Sequence, residues 1–207
     1  MPTPERTLAI ECATEACSIA LFEDGEVRAA EHRVLGRGHA EHLVPMIATL
    51  PDRGKAARIL VSLGPGSFTG VRIGIAVARA LGVAWNVPVA GYPTLALIAA
   101  MAQAEHPGPV TVCIAGGHGE WFMQDFDPCG LPETALASVR VGEAAEVASH
   151  RVIAGSQAGA RAEMAGPGHL AFVTLPDARF ASRLPHALIT SSTSPIYGRA
   201  PDARLPA

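Results

Sequence analysis

Short apolar runs of strand length alternate with longer stretches of helical spacing through the first half of the chain. Residues 7–10 and 18–22 are aliphatic runs joined by Ala13-Thr14-Glu15-Ala16, and both read as strands. Glu23-Asp24-Gly25-Glu26 carries the Asp-Gly hairpin signal into a third strand over 27–34. Residues 36–50 read as a helix, with Leu43, Met46, Ile47 and Leu50 at helical spacing and Pro45 expected only near its start or at a kink. A short linker over 51–58 leads to a buried strand at 59–63, a glycine-rich turn, and a helix over 71–83. Residues 87–90 form another strand, and Tyr92-Pro93-Thr94 opens a helix to about 103 with Thr94 near its cap.

Pro107-Gly108-Pro109 breaks the pattern and marks a boundary between subdomains over 1–106 and 107–207, the tail being free to return to the first. Residues 110–115 and 121–126 then read as a hairpin around Gly116-Gly117-His118-Gly119. Beyond 127 the pattern weakens: a short helix over 142–148, strands at 151–154 and 170–175, and a helix from 177 that Pro185 interrupts. No repeat appears in the sequence. Three meandering strands followed by helix, strand, helix give an α/β fold of the actin-like, sugar-kinase-like (RNase H-like) ATPase kind, with a smaller, degenerate second subdomain.

In the helix over 71–83, Gly74, Val77, Ala78 and Leu81 are placed on one face, and Arg72, Ile75, Ala76, Arg79 and Val83 on the other. Both faces are apolar or small, with two arginines two turns apart. Such a helix is expected to be covered on both sides, one side by its own core and the other by a neighbouring helix or by a partner.

Hydrophobic residues make up 49% of the 207 and charged residues 17%, enough to bury a core and too few charges for a disordered chain. With 16 Lys plus Arg against 19 Asp plus Glu, the formal net charge of −3 argues against a chain that grips nucleic acid alone. Of four cysteines, Cys12 and Cys113 lie in strand-like runs and are expected to be buried free thiols, and no zinc spacing appears. No signal peptide and no apolar run of the ~18 residues that span a membrane are expected, which makes the chain cytoplasmic.

Candidate chemistry centres on Gly64–Arg72, GPGSFTGVR. A glycine-rich turn between strand and helix gathers N–H groups at a helix N-terminus, where an anion is favoured. Thr14, Gly64, Gly66 and Ser67 are the candidate nucleotide contacts on that reading. The alternative is a tight connection whose glycines supply unusual backbone angles only, and the Lys-Ser/Thr pair of a P-loop is missing. Ser67, Cys113, His39, His42, His118 and His169 are framed by no nucleophile motif, so a catalytic set is not expected. His39 and His42 lack a third metal ligand, and Glu11 is expected at a strand end in water.

GPGSFTGVRIG, NVPVAGYPTLALI (86–98), LAIECATEACSIAL (8–21), HAEHLVPMI (39–47) and PIYGRAPDARLP (195–206) together resemble the TsaB (YeaZ) family of bacteria. The resemblance covers roughly the first half of the chain and the tail. It implies a non-catalytic subunit needed for threonylcarbamoylation of the adenosine beside the tRNA anticodon, binding a catalytic TsaD-like partner and helping to recruit a TsaE-like ATPase. It further implies an interface built from Leu43, Met46, Ile47 and Leu50 with Arg72, Ile75, Ala76, Arg79 and Val83. It also allows a homodimer when the chain is alone, tRNA contact mainly through the partner, no cofactor of its own, and ATP at the complex. The chain departs from the family pattern at Glu11, Ala115, Gly116, Gly117 and Gly198 and in its short linker. The competing reading is an ATP-binding phosphotransferase or ATPase of the same fold, with a peptidase a distant third.

Overall fold

A computed structural model describes residues 5–199. The aliphatic runs of the first half pair into one mixed sheet. Its meander is β1 (Arg6–Glu11), β2 (Ala16–Glu23) and β3 (Glu26–Val34), to which β4 (Arg58–Ser62) and β5 (Val89–Tyr92) add in parallel on the β1 side. The strand order is β3-β2-β1-β4-β5. Parallel neighbours need crossovers, and helices α1 (His39–Thr49) and α2 (Phe68–Trp85) supply them. Both helices seal one face of the sheet in a cluster that includes Leu8, Ile10, Ile19, Leu43, Met46, Val61, Val71 and Ile75.

Helix α3 (Thr94–Glu105) lies between this sheet and the next, with nine of its 12 residues buried. One apolar cluster runs from Ala9, Phe22 and Leu60 through Leu95, Ile98 and Ala102 of α3 to Val112, Ile114 and Phe126 of the second sheet. That sheet consists of β6 (Val110–Gly117), β7 (Glu120–Phe126), β8 (Ala137–Arg140), β9 (Val152–Ala154) and β10 (Leu170–Phe172), ordered β10-β9-β6-β7-β8. Helix α4 (Ala158–Ala165) crosses from β9 to β10. Strands β6, β7 and β8 are antiparallel, and β9 and β10 join in parallel. The second sheet therefore repeats the topology of the first, a repeat that the amino acids no longer display.

Several elements differ from the sequence expectation for local reasons. Pro45 sits inside α1 without ending it, and it lies on the exposed side, where the carbonyl of Glu41 that it leaves without a donor is on the solvent face. α2 starts at Phe68 rather than 71, since Ser67 caps it: its side chain accepts from Gly70 N–H. Thr94 caps nothing, and its hydroxyl instead pairs with Ser62 at 2.7 Å. The segment over 142–148 is a 3₁₀ turn at Val141–Glu146, and β8 and α4 were not legible at all.

Candidate functional site

The glycine-rich turn is held on the β1–β2 turn. Ser67 N–H donates to the Ala13 carbonyl at 2.6 Å. A Cβ on Gly66 would stand 2.0 Å from that oxygen, and one on Gly70 would stand 2.1 Å from the carbonyl oxygen of Cys12. These two glycines are required because backbone meets backbone there. Gly64, at φ 96°, faces the carbonyl of Ile196, which a Cβ would approach to 2.7 Å.

Glu11 corrects the expectation of a solvated strand end, since it is fully buried under this turn. Ala13 N–H donates to its Oε1 at 2.7 Å, while Oε2 has no partner among the described residues. Burial pushes the carboxyl up to about 7, against the opposing pull of the Ala13 amide, the Ser62 hydroxyl and the Cys12 amide. Cys12 and Cys17 are buried beside it as free thiols with sulfurs 3.7 Å apart, and Cys113 is a third buried thiol. The pairing of Cys12 with Cys17 is a consequence of their facing positions on the β1–β2 hairpin.

Between the two sheets opens a cavity of about 820 Å³. Thr14, Gly66 and Ser67 line it from the first half, and Ile114, Ala115, Gly116, Gly117 and Ser156 from the second. Three of the four candidate nucleotide contacts thus come together, while Gly64 lies against the tail. The Thr14 hydroxyl is turned to its own hairpin, accepting from Ala16 N–H at 3.2 Å. Gly116 and Gly117 lead into a two-residue hairpin turn at His118-Gly119, both with positive φ (54° and 77°), so their place in the chain is explained by strand reversal. Gly198 also has a structural reason, as a Cβ would lie 2.2 Å from the Phe122 ring.

The candidate interface residues divide into two groups. Leu43, Met46, Ile47 and Leu50 are buried in the core beneath α1, and Ile75 is buried with Gly70, Val71, Gly74, Ala78 and Gly82 on the inner face of α2. Their side chains point to the sheet, so they support the helices and do not present a surface. Ile75 moves to the core face because that face is centred nearer Gly74, Ile75 and Ala78 than Val77 and Leu81, which are half-buried. Arg72, Ala76, Arg79 and Val83 remain exposed at spacings of four, three and four, a single strip along the helix. Val83 is 85% exposed. Only six of the 18 residues of α2 are buried, whereas α3, equally apolar, is enclosed. By length and composition alone α2 passes for a membrane span, against the expectation of no such run, but its inner face is packed on the β-sheet.

His39 is buried with Nε2 3.2 Å from the Ala16 carbonyl, and His42 is exposed. Among the described residues no three His, Cys, Asp or Glu side chains gather as a metal site. Ser67 is occupied as a helix cap, a role signalled by its place just before the apolar helix and missed in the sequence.

The family model for TsaD, tRNA N6-adenosine threonylcarbamoyltransferase, matches residues 32–178. The tRNA threonylcarbamoyladenosine biosynthesis protein TsaB of Escherichia coli is 42% identical over 127 residues, 58% of this chain and 54% of that protein. TsaB of Bacillus subtilis is 32% identical over 98 residues, 45% and 43% of the two chains. The chain spans about half the length of the curated relatives it matches. The solved structure of YeaZ from Pseudomonas aeruginosa superposes with a TM-score of 0.78 at 26% identity, covering 93% of this chain and 99% of that one. The actin-like fold, the glycine-rich turn seated on the first hairpin and these matches agree: the chain belongs to the family that the TsaD model describes, on its TsaB (YeaZ) branch.

Proposed function

We propose that this chain is a non-catalytic subunit in the formation of threonylcarbamoyladenosine in tRNA, acting by docking a TsaD-like catalytic partner on the outer face of α2. The observation that carries this reading is the exposed strip Arg72, Ala76, Arg79 and Val83 on an apolar helix of which only six of 18 residues are buried. Small residues let a partner helix come close, and arginines at the rim pair with carboxylates. The net charge of −3 favours tRNA contact through the partner, and a TsaE-like ATPase joins the assembly once the pair has formed. Membership of the TsaB branch supports the pathway.

Depletion of the chain in its own cell, followed by nucleoside analysis of bulk tRNA, tests this function. Threonylcarbamoyladenosine falls on depletion and returns with the wild type but not with Ala76→Asp. Unchanged content on depletion contradicts the proposal.

A second reading has one observation in its favour, the cavity that brings Thr14, Gly66 and Ser67 together. On that reading the chain binds a nucleotide there with Mg²⁺, and Thr14→Val removes the binding in a direct titration of the purified chain with ATP.

A further inference from the structure

The last described residues return from the second half of the chain and lie along α2. Ile196 N–H donates to the Leu63 carbonyl at 2.7 Å, next to the glycine-rich turn. The Arg79 guanidinium donates to Thr193 twice, from Nε to Oγ1 at 2.8 Å and from Nη2 to the carbonyl at 3.1 Å. The Arg72 guanidinium donates to the Tyr197 hydroxyl from Nε at 3.2 Å and from Nη2 at 2.8 Å. Tyr197 stacks on Phe68 with ring centroids 5.7 Å apart, and the Arg72 guanidinium lies 3.6 Å from the Phe68 centroid. Both arginines of the exposed strip are therefore tied to one side by a single segment, while Ala76 and Val83 stay open.

Building on the docking function proposed above, we infer that residues 193–197 are a positioning strap for the docking face: they hold Arg72 and Arg79 beside the small-residue seam, and Tyr197 and Thr193 form the rim that the partner meets. An untethered arginine sweeps over Ala76 and obstructs a close helix approach. A tethered one has lost its rotamer freedom before the partner arrives, so less entropy is lost on binding. Charge selects the occupant. Two guanidinium groups on one strip suit a helix flanked by carboxylates. The occupant is the TsaD-like partner, through an acid-flanked helix.

The test is a calorimetric titration of the TsaD of the same cell into four forms of the chain: wild type, Tyr197→Phe, Thr193→Ala with Tyr197→Ala, and Ala76→Asp. Tyr197→Phe keeps the ring stack and removes the acceptor of Arg72. Its affinity falls by about threefold, and that of the double variant by about tenfold or more, from the ordering of one or two arginines on binding. Hydrogen exchange of the Ile196 amide stays slow in Tyr197→Phe, so the loss reflects the arginine and not a detached segment. Undiminished or tighter binding by the double variant, with Ala76→Asp still unable to bind, overturns the strap and leaves the docking function standing. Wild-type affinity in Ala76→Asp, or no complex with the wild type, overturns the docking face and the strap together.

Discussion

Glu11 shows how much a single residue can hide from a linear reading. The polar turn that follows it, Thr14-Glu15, looks like a solvated strand end, yet the carboxyl is fully buried, with Ser67 and Gly70 packed on the backbone carbonyls of Ala13 and Cys12 just beyond it. Its ionisation then opposes folding. The folded chain keeps the proton up to about pH 7, the unfolded chain only to 4.5, so stability falls as pH rises through that window and is level above it. The span corresponds to roughly 3 kcal/mol at about 1.4 kcal/mol per unit. Glu11→Gln keeps an acceptor for Ala13 N–H and removes the charge. Urea unfolding is expected to show it more stable than wild type at pH 8, by up to roughly 3 kcal/mol, and near wild type at pH 4. A variant that is weaker than wild type at pH 8 contradicts the account. Arg161 is a comparable case under the second sheet. It is buried, its Nε and Nη1 have no partner among the described residues, and its Nη2 donates to the Val147 carbonyl. Arg161→Met is expected to be neutral or stabilising by about 1 kcal/mol in the same assay, and a loss of several kcal/mol would show that the guanidinium is better satisfied than its contacts indicate.

At the level of elements, the first half was legible because its strands are aliphatic runs and its turns carry Asp-Gly and Gly-Pro-Gly signals. The limits of legibility were the covers. Both α3, enclosed between two sheets, and α2, packed on one side only, are apolar along most of their length, and Arg72 and Arg79 on one face of α2 set the two apart. The face of α2 was misassigned by Ile75 alone, a one-residue rotation of the buried stripe. Strand β8, with none of its residues Ala137–Arg140 fully buried, and α4, with only Ala158 and Arg161 buried, gave too little periodicity to read. The junction of α2 with the β1–β2 hairpin makes a sharp prediction. Gly66→Ala and Gly70→Ala drive a methyl group into backbone carbonyls and are expected to cost about 3 kcal/mol each or more. Gly142→Ala, with nothing within 4 Å of the new methyl group, is expected to change stability by less than about 0.5 kcal/mol. Equal denaturation midpoints for the three variants contradict the proposed junction.

Across the whole molecule, two sheets of matching topology enclose α3 and leave a cleft between them, and the helix beside that cleft presents the exposed strip. The repeat of strand order was invisible in the sequence because topology tolerates replacement of nearly every side chain, while Gly66 and Gly70 of the glycine-rich turn admit no side chain because backbone carbonyls stand where a Cβ would be. The structure also alters how the docking face is probed. Ile75→Asp places a charge in the core and is expected to unfold the chain, whereas Ala76→Asp places it on the exposed strip and is expected to leave the melting temperature within a few degrees of wild type. The measurement that bears most directly on the central claim is co-purification of this chain with the TsaD of the same cell, wild type and Ala76→Asp side by side. A stable one-to-one complex is expected with the wild type and none with a folded Ala76→Asp. A complex that forms equally well with Ala76→Asp, or a folded wild type that captures no TsaD, contradicts it.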